Sequence, residues 1–298
     1  MRQSSDRRRP IRAHRLPAPL LPDGLDRGSF ERKPAKRRFR AIWISDVHLG
    51  TRGCKAPLLL DFLRRTESEY LYLVGDIVDG WRLKRSWYWH QSHNDVVQKV
   101  LRKARKGTRV VYVPGNHDEA LREFLDLHFG GIHVVGEAVH ETADGRRLLV
   151  IHGDAFDAIV TTAGWLAILG DRAYNAAVAL NTWYNHVRVA LGYPYWSLSK
   201  YLKLKVKNAV SFITAFEHAV AAEARRRGLD GVVCGHIHKA EIRDVDGIVY
   251  CNDGDWVESC TALVEHHDGT LEILEWTELE AVSVARAAPA PAAVQAAD

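Results

Sequence analysis

The sequence predicts an α/β layered domain built on a mixed sheet, and three observations lead there. Short apolar runs ("FRAIWIS", "EYLYLVG", "TRVVYVPG", "RRLLVIHG", "GVVCGH") each stop at a Gly, Ser or polar cluster, as buried strands do. Helical stretches lie between them, and strands alternating with helices stack into layers. Asp-Gly pairs at Asp144, Asp246 and Asp268 separate alternating apolar runs, where they supply the positive φ of a tight hairpin turn and so add antiparallel strands.

Taken in order, residues 1–39 lack any apolar periodicity and read as a basic, proline-broken, disordered tail. Thirteen Lys/Arg against four Asp/Glu in the first 40 residues put +9 there, so a chain of net charge +4 leaves about −5 for the folded remainder. The tail is either a solvated arm or a contact for anionic lipid or nucleic acid. The acidic remainder argues against nucleic acid as a partner of the domain itself. Helices are expected over Pro57–Arg65, from about Trp87 to Arg105, and over Glu119–Leu127, each between two of the strand-like runs.

Residues 155–227 carry no strand signal and read as a helical insertion, broken at "GYPYW" and resuming as a long helix from about Ser199 to Arg227. It is either an ordinary helical layer or a lid. Strands and two hairpins complete a domain over residues 40–276, and 277–298 is a low-complexity tail. "LPAPLL" is too short for a signal-peptide core, and no stretch reaches the ~18 apolar residues of a membrane span. The four scattered cysteines form no CxxC pair, as in a reduced, cytoplasmic protein without a thiolate zinc site.

The chemistry sits at the carboxyl ends of the apolar runs: "SDVHLG" (Asp46, His48), "GDIVDG" (Asp76, Asp79), "GNHDE" (Asn116, His117, Asp118), "HGD" (His152, Asp154) and "GHIH" (His236, His238). Strand ends on one rim of a sheet converge, so five such groups can share a cleft. Carboxylate, amide and imidazole donors without thiolate suit Mn²⁺, Fe²⁺ or Zn²⁺. Seven donors are too many for one ion with an open position and right for two sharing a bridging carboxylate, for which Asp76 is the natural candidate. Two ions roughly 3.5–4 Å apart clamp a phosphoryl group and acidify a water. In "GHIH" each histidine then serves one ion, while Ile237 points the other way into the core.

The ordered set "DVH…GD…GNHD…HGD…GHIH" resembles the calcineurin-like metallophosphoesterase superfamily, over roughly residues 40–276. The resemblance implies a two-sheet sandwich flanked by helices. It implies a first metal on Asp46, His48, Asp76 and His238, and a second on Asp76, Asn116, His152 and His236, with Mn²⁺ the expected ion. It makes His117 a proton donor to the leaving oxygen or a transition-state stabiliser, oriented by Asp118. Within the superfamily the sequence is most similar to the bacterial UDP-2,3-diacylglucosamine pyrophosphohydrolases of lipid A synthesis, which carry a helical insertion in the same place but Arg where this chain has His117. That likeness implies a lipid-linked diphosphate as substrate, with Trp165 and Trp183 lining an acyl-chain groove and Arg188, Lys200, Lys203 and Lys207 facing the diphosphate or anionic headgroups. It also implies peripheral contact with the inner membrane. A solvated helix face accounts equally for the lysine run, and a phosphoesterase acting on a nucleotide, phosphoprotein or other lipid phosphate would keep every metal ligand. A non-catalytic scaffold would keep the fold with a decayed site, against which the full ligand set and His117 argue.

Overall fold

The structure is a computed structural model that describes residues 36–157 and 198–276, with the backbone alone over 198–209. Residues 158–197 of the expected insertion, and nearly all of both expected tails, lie outside the described residues. Strand β1 (Arg37–Ile44) opens inside the segment read as tail, because Phe39, Ile42 and Ile44 are buried and draw the chain into the sheet.

Among the described residues twelve strands form two sheets. The first contains β1, β2 (Thr66–Val74), β3 (Arg109–Val113), β4 (His128–Phe129), β5 (Ile132–Val134), β11 (Thr261–Glu265) and β12 (Leu271–Glu275), in the order β12-β11-β1-β2-β3-β5-β4. The second contains β6 (Ala138–Glu141), β7 (Arg147–Val150), β8 (Gly231–Cys234), β9 (Glu241–Val245) and β10 (Ile248–Asn252), in the order β6-β7-β8-β10-β9. The central pairs β1–β2–β3–β5 and β7–β8–β10 are parallel, and hairpin partners at the edges are antiparallel. All three Asp-Gly signals turn hairpins, at β6–β7, β9–β10 and β11–β12.

Period-two alternation assigns each strand residue to a layer. Leu71 and Leu73 of β2 join the cluster that packs α1 (Ala56–Arg65) and α3 (Gln91–Arg105) on the outer face of the first sheet. Tyr72 and Val74 face inward, meeting Leu148 and Val150 of β7 between the sheets. Leu149 and Val232 turn outward against Phe216, Val220 and Ala224 of α4 (Leu198–Arg226). The result is four layers: helices, sheet, sheet, helix. This is the expected two-sheet mixed sandwich, since each sheet must bury both of its faces.

Two local expectations are corrected and one short helix is added. Glu119–Phe124 is a 3-10 helix rather than an α-helix running to Leu127, because Asp126 turns to φ 64° and Gly130 and Gly131 close a β4–β5 hairpin. A short helix α2 (Gly80–Arg85) follows Asp79, whose side chain caps it by accepting from Arg82 N at 2.8 Å. α3 starts at Gln91 rather than Trp87. Among the described residues no helix is long and apolar enough to cross a membrane.

Candidate metal centre

Every parallel strand that carries a motif ends on the same rim, and the loops beyond interlock. Asp46 N donates to Gly75 O (3.1 Å), His48 N to Asp76 O (2.9 Å), and Gly235 N to His152 O (3.2 Å). His117 N donates to Asp76 Oδ1 (2.8 Å) and His236 N to Asp46 Oδ2 (2.9 Å), so the motif loops of β1, β2 and β3 meet those of β7 and β8 across the two sheets. Within these loops Asp46, His48, Asp76, His236 and His238 all have φ between 49° and 69°. A side chain in that left-handed region costs roughly 1–2 kcal/mol, and the reversal aims each side chain back over the rim. Two glycines make room. A Cβ on Gly115 would collide with Asp76 Oδ1 and the His152 ring, and one on Gly235 with Ser45 and Asp46 Oδ2.

Three groups of three potential ligand atoms result, each spanning no more than 4.8 Å: Asp46, His48 and His238; Asp46, Asp76 and His152; His48, Asp79 and His117. Asp76 Oδ2 is central, 3.5 Å from His152 Nε2, 3.9 Å from His117 Nε2 and 4.0 Å from His48 Nε2. Asp46 Oδ1 is 3.0 Å from His238 Nε2. Asp46 Oδ1, Asn116 Oδ1 and His152 Nε2 are buried without a hydrogen-bond partner. Lone pairs so placed are unfavourable unless a cation meets them. The donor set is borderline-hard and thiolate-free, so the residues present fit divalent metal ions.

The imidazoles are held from behind. His152 Nδ1 contacts Val74 O at 2.8 Å, and Asp79 lies 3.3 Å from His48 Nδ1 and 3.1 Å from His117 Nδ1. The Val74 bond fixes the His152 tautomer, and Asp79 places its negative charge on the Nδ1 side of the other two rings. Burial alone would raise Asp46 and Asp79, but His238 beside the first, and His117 and His48 beside the second, hold both well below the usual carboxylate range. Burial works against charge on His152 and His238 as well, yet Asp76 and Asp46 push the first up to about 10 and Asp46 the second to about 9. Such a buried surplus of anionic oxygen favours a divalent cation, whose binding would release the imidazole protons.

Asp46, His48, Asp76, His152 and His238 are thus brought together, and Asn116 Oδ1, in the β3 loop, is buried without a hydrogen-bond partner. His236 belongs to none of the three groups: its Nε2 lies 2.8 Å from both oxygens of Asp157, which leaves Nδ1 as its unengaged nitrogen. The role expected for Asp118 is corrected. Its carboxylate accepts from Tyr112 Oη (2.5 Å), Gly115 N (2.6 Å) and Ile77 N (2.8 Å), tying the β2 and β3 loops together. The group behind His117 is Asp79, and "GDIVDG" signalled it by placing a second carboxylate three residues after the central one. Trp165, Trp183 and Arg188 lie outside the described residues, and of Lys200, Lys203 and Lys207 only the backbone, on α4, is described.

Sequence reasoning also missed the underlay. Ser45 Oγ lies 2.5 Å from Asp46 Oδ2 and 2.6 Å from Asp253 Oδ1. Burial pushes Asp253 well above the usual range, and the single Ser45 hydroxyl hydrogen is shared between the two carboxylates. Asn252 Nδ2 donates to Gly235 O at 2.6 Å, so "CNDGDW" braces both the first and the last motif. At the mouth Trp81, half exposed, leans over the His117 ring with centroids 4.4 Å apart.

A UDP-2,3-diacylglucosamine hydrolase of Blochmanniella pennsylvanica is 26% identical over 119 residues, 38% of this chain and 46% of that protein, so the chain spans about half the length of this curated relative. Vps29 of Entamoeba histolytica, in a structure complexed with Zn²⁺, superposes with a TM-score of 0.37 at 14% identity, covering 80% of this chain and 99% of that one. An archaeal phosphodiesterase gives 0.36 at 11% identity, covering 79% and 98%. The sequence profile of the calcineurin-like phosphoesterases matches residues 39–240, from the first strand to just beyond the last motif, and the chain belongs to that family of metal-dependent phosphoesterases.

Proposed function

We propose that the protein hydrolyses a phosphoric anhydride or ester at a two-metal centre, and that its substrate is the diphosphate of UDP-2,3-diacylglucosamine or a closely related lipid-linked diphosphate. The observation that carries the chemistry is the set of ligand groups sharing Asp46, His48 and Asp76, with its partnerless buried oxygens and nitrogen. Asp46, His48 and His238 would hold one ion, and His152, Asn116 and His236 through Nδ1 the other, with Asp76 between them. Bound ions would supply Lewis-acid polarisation of phosphoryl oxygens and an acidified water. Mn²⁺ is the ion we expect, and Fe²⁺ or Zn²⁺ would accept the same donors.

The chain's own residues do the rest. Asp79 holds the Nδ1 side of His117, 3.1 Å away, and so turns Nε2 to the cleft. The carboxylates of Asp79 and Asp76 outweigh the opposing effect of burial and raise the affinity of His117 for a proton. His117 therefore protonates the leaving oxygen, while Trp81 stacked on its ring limits water at that face. The lipid-linked substrate is supported by the curated relative and by the sequence and position of the insertion. On this reading the insertion covers the acyl chains and the enzyme works at the cytoplasmic face of the inner membrane.

His117 itself favours a second reading, another phosphomonoester or phosphodiester, because the lipid A enzymes carry Arg there. The test is hydrolysis of UDP-2,3-diacylglucosamine with Mn²⁺, beside bis-p-nitrophenyl phosphate. UMP release far faster than generic cleavage supports the first reading. Generic cleavage alone supports the second, and no hydrolysis of either sinks both.

A further inference from the structure

The amino ends of β1, β2 and β3 border a cavity of about 500 Å³ on the rim opposite the metal centre. β2 spans nine residues, which at ~3.3 Å per residue separates the two rims by roughly 25–30 Å. Six cations line the cavity: Lys36 and Arg38 from the start of β1, and Lys99, Arg102, Lys103 and Lys106 from the last turns of α3 and the residue after it. Its carboxylates are Glu67 and Glu69. Glu67 is engaged by Lys36 at 2.5 Å and by Arg38 at 3.6 Å. Glu69 lies 3.6 Å from His267.

The α3 cations are left over. Among the described residues none of Lys99, Arg102, Lys103 and Lys106 has a carboxylate within 4.0 Å. Lys103 is only 6% exposed, and its Nζ donates to Thr66 O at 2.7 Å, so the carbonyl shares one proton and cancels no charge. Cations in a last helical turn do complement the helix dipole. That effect fades within a turn, however, and explains neither Lys99 nor the pair arriving from β1. Burial first, then their cationic neighbours, hold Lys99 below its usual value and push Lys103 down to about 8. Glu67, already engaged by Lys36 and Arg38, offsets this crowding by like charge only in part. None of the exposed large hydrophobic residues lines the cavity, so it lacks the apolar rim of a surface that seats in lipid.

We infer that this cavity is a second anion site, separate from the metal centre, that takes a soluble ligand bearing adjacent phosphoryl groups. An oligophosphate supplies several closely spaced oxygens to several ammonium and guanidinium groups, and Arg102 offers the planar fork suited to two of them.

The experiment is lysine footprinting on the full chain. The protein is acetylated with an amine-reactive ester, with and without tripolyphosphate, and read by peptide mass spectrometry. Protection confined to Lys99, Lys103 and Lys106, with Lys84 and Lys239 modified as before, supports the site. Uniform protection or none overturns it, and the metal centre cannot mimic the pattern. Calorimetric titration follows, comparing Lys99→Gln/Arg102→Gln/Lys106→Gln with a distant control, Arg225→Gln/Arg226→Gln/Arg227→Gln. The cavity variant should raise Kd by roughly tenfold or more, about the loss of one charge-assisted hydrogen bond, with bis-p-nitrophenyl phosphate hydrolysis unchanged. Equal weakening in both variants reduces the effect to net charge and overturns the site. A parallel arm uses phosphatidylglycerol vesicles: sedimentation with them that the cavity variant abolishes, without tripolyphosphate binding, makes this a lipid-headgroup patch and likewise overturns the inference.

Discussion

Asp79→Asn isolates the carboxylate that faces two site imidazoles. The side chain lies 3.1 Å from His117 Nδ1 and 3.3 Å from His48 Nδ1, and it is 3% exposed. Two unit charges about 4 Å apart in a protein environment interact by about 4 kcal/mol. Asparagine keeps the shape and one acceptor, so about 2–3 kcal/mol of support for the protonated imidazole should go, or roughly 30- to 150-fold in kcat. Stability should hold within about 1 kcal/mol, because Asn caps a helix as well as Asp and the bond from Arg82 N survives. The pH profile carries the sign. If His117 is the proposed acid it acts in its protonated form, and Asp79 raises its affinity for the proton, so activity should fall as pH rises through its pKa. Removing the carboxylate must move that alkaline limb to lower pH. The assay is kcat against pH on bis-p-nitrophenyl phosphate, with metal content measured on the same samples. A kcat within about threefold of the parent at full metal load, or an alkaline limb that stays in place, would refute the reasoning.

Asp76→Ala should abolish turnover and lower bound metal, read by elemental analysis, because in the proposed centre both ions would share that carboxylate. His117→Ala should retain the metal and lose ~10²–10⁴-fold in rate, so the two variants separate ligand from acid. Gly115→Ala should leave the circular dichroism spectrum unchanged and weaken metal binding by roughly 10- to 100-fold, since its methyl would meet Asp76 and His152. Glu265 is fully buried between Arg40 (3.0 Å) and His140 (2.8 Å). Burial would raise it, but His140, Ala143 N and Arg40 hold it below its ordinary value of 4.5. The unfolded chain therefore binds the extra proton, and this contribution is present above about pH 4.5 and fades as pH falls through the folded-state pKa. Glu265→Gln should cost about 3 kcal/mol near neutrality and flatten that acid limb in urea titrations.

The layers and most of the site were legible because each motif directly follows an apolar run, and parallel strands deliver their carboxyl ends to one rim. The Asp-Gly turns were legible for a local reason, the φ they require. Asp118 was misassigned because adjacency in sequence is a poor guide in a loop: its side chain points back to Tyr112 and Gly115, while Asp79 arrives from another strand. The β4–β5 hairpin escaped because two- and three-residue strands have too few positions to display a period. His236 reads as a plain ligand in "GHIH", and only the fold reveals Asp157 at its Nε2. The brace of Ser45, Asn252 and Asp253 joins residues some two hundred positions apart, which no spacing rule reaches.

The five motif loops come from both sheets, three from one and two from the other, and the inward residues of those sheets meet in a single hydrophobic layer. The catalytic groups therefore straddle a seam. A sub-ångström slide of one sheet over the other would change the spacing of Asp76 and His152 before it disturbed any strand's own hydrogen bonds. Packing of Trp43, Tyr72, Leu148 and Val233 in that layer thus calibrates the gap in which a phosphoryl group must fit. A small void made there, far from any polar atom of the cleft, should be felt first as a mistuned reaction and only later as a loss of fold.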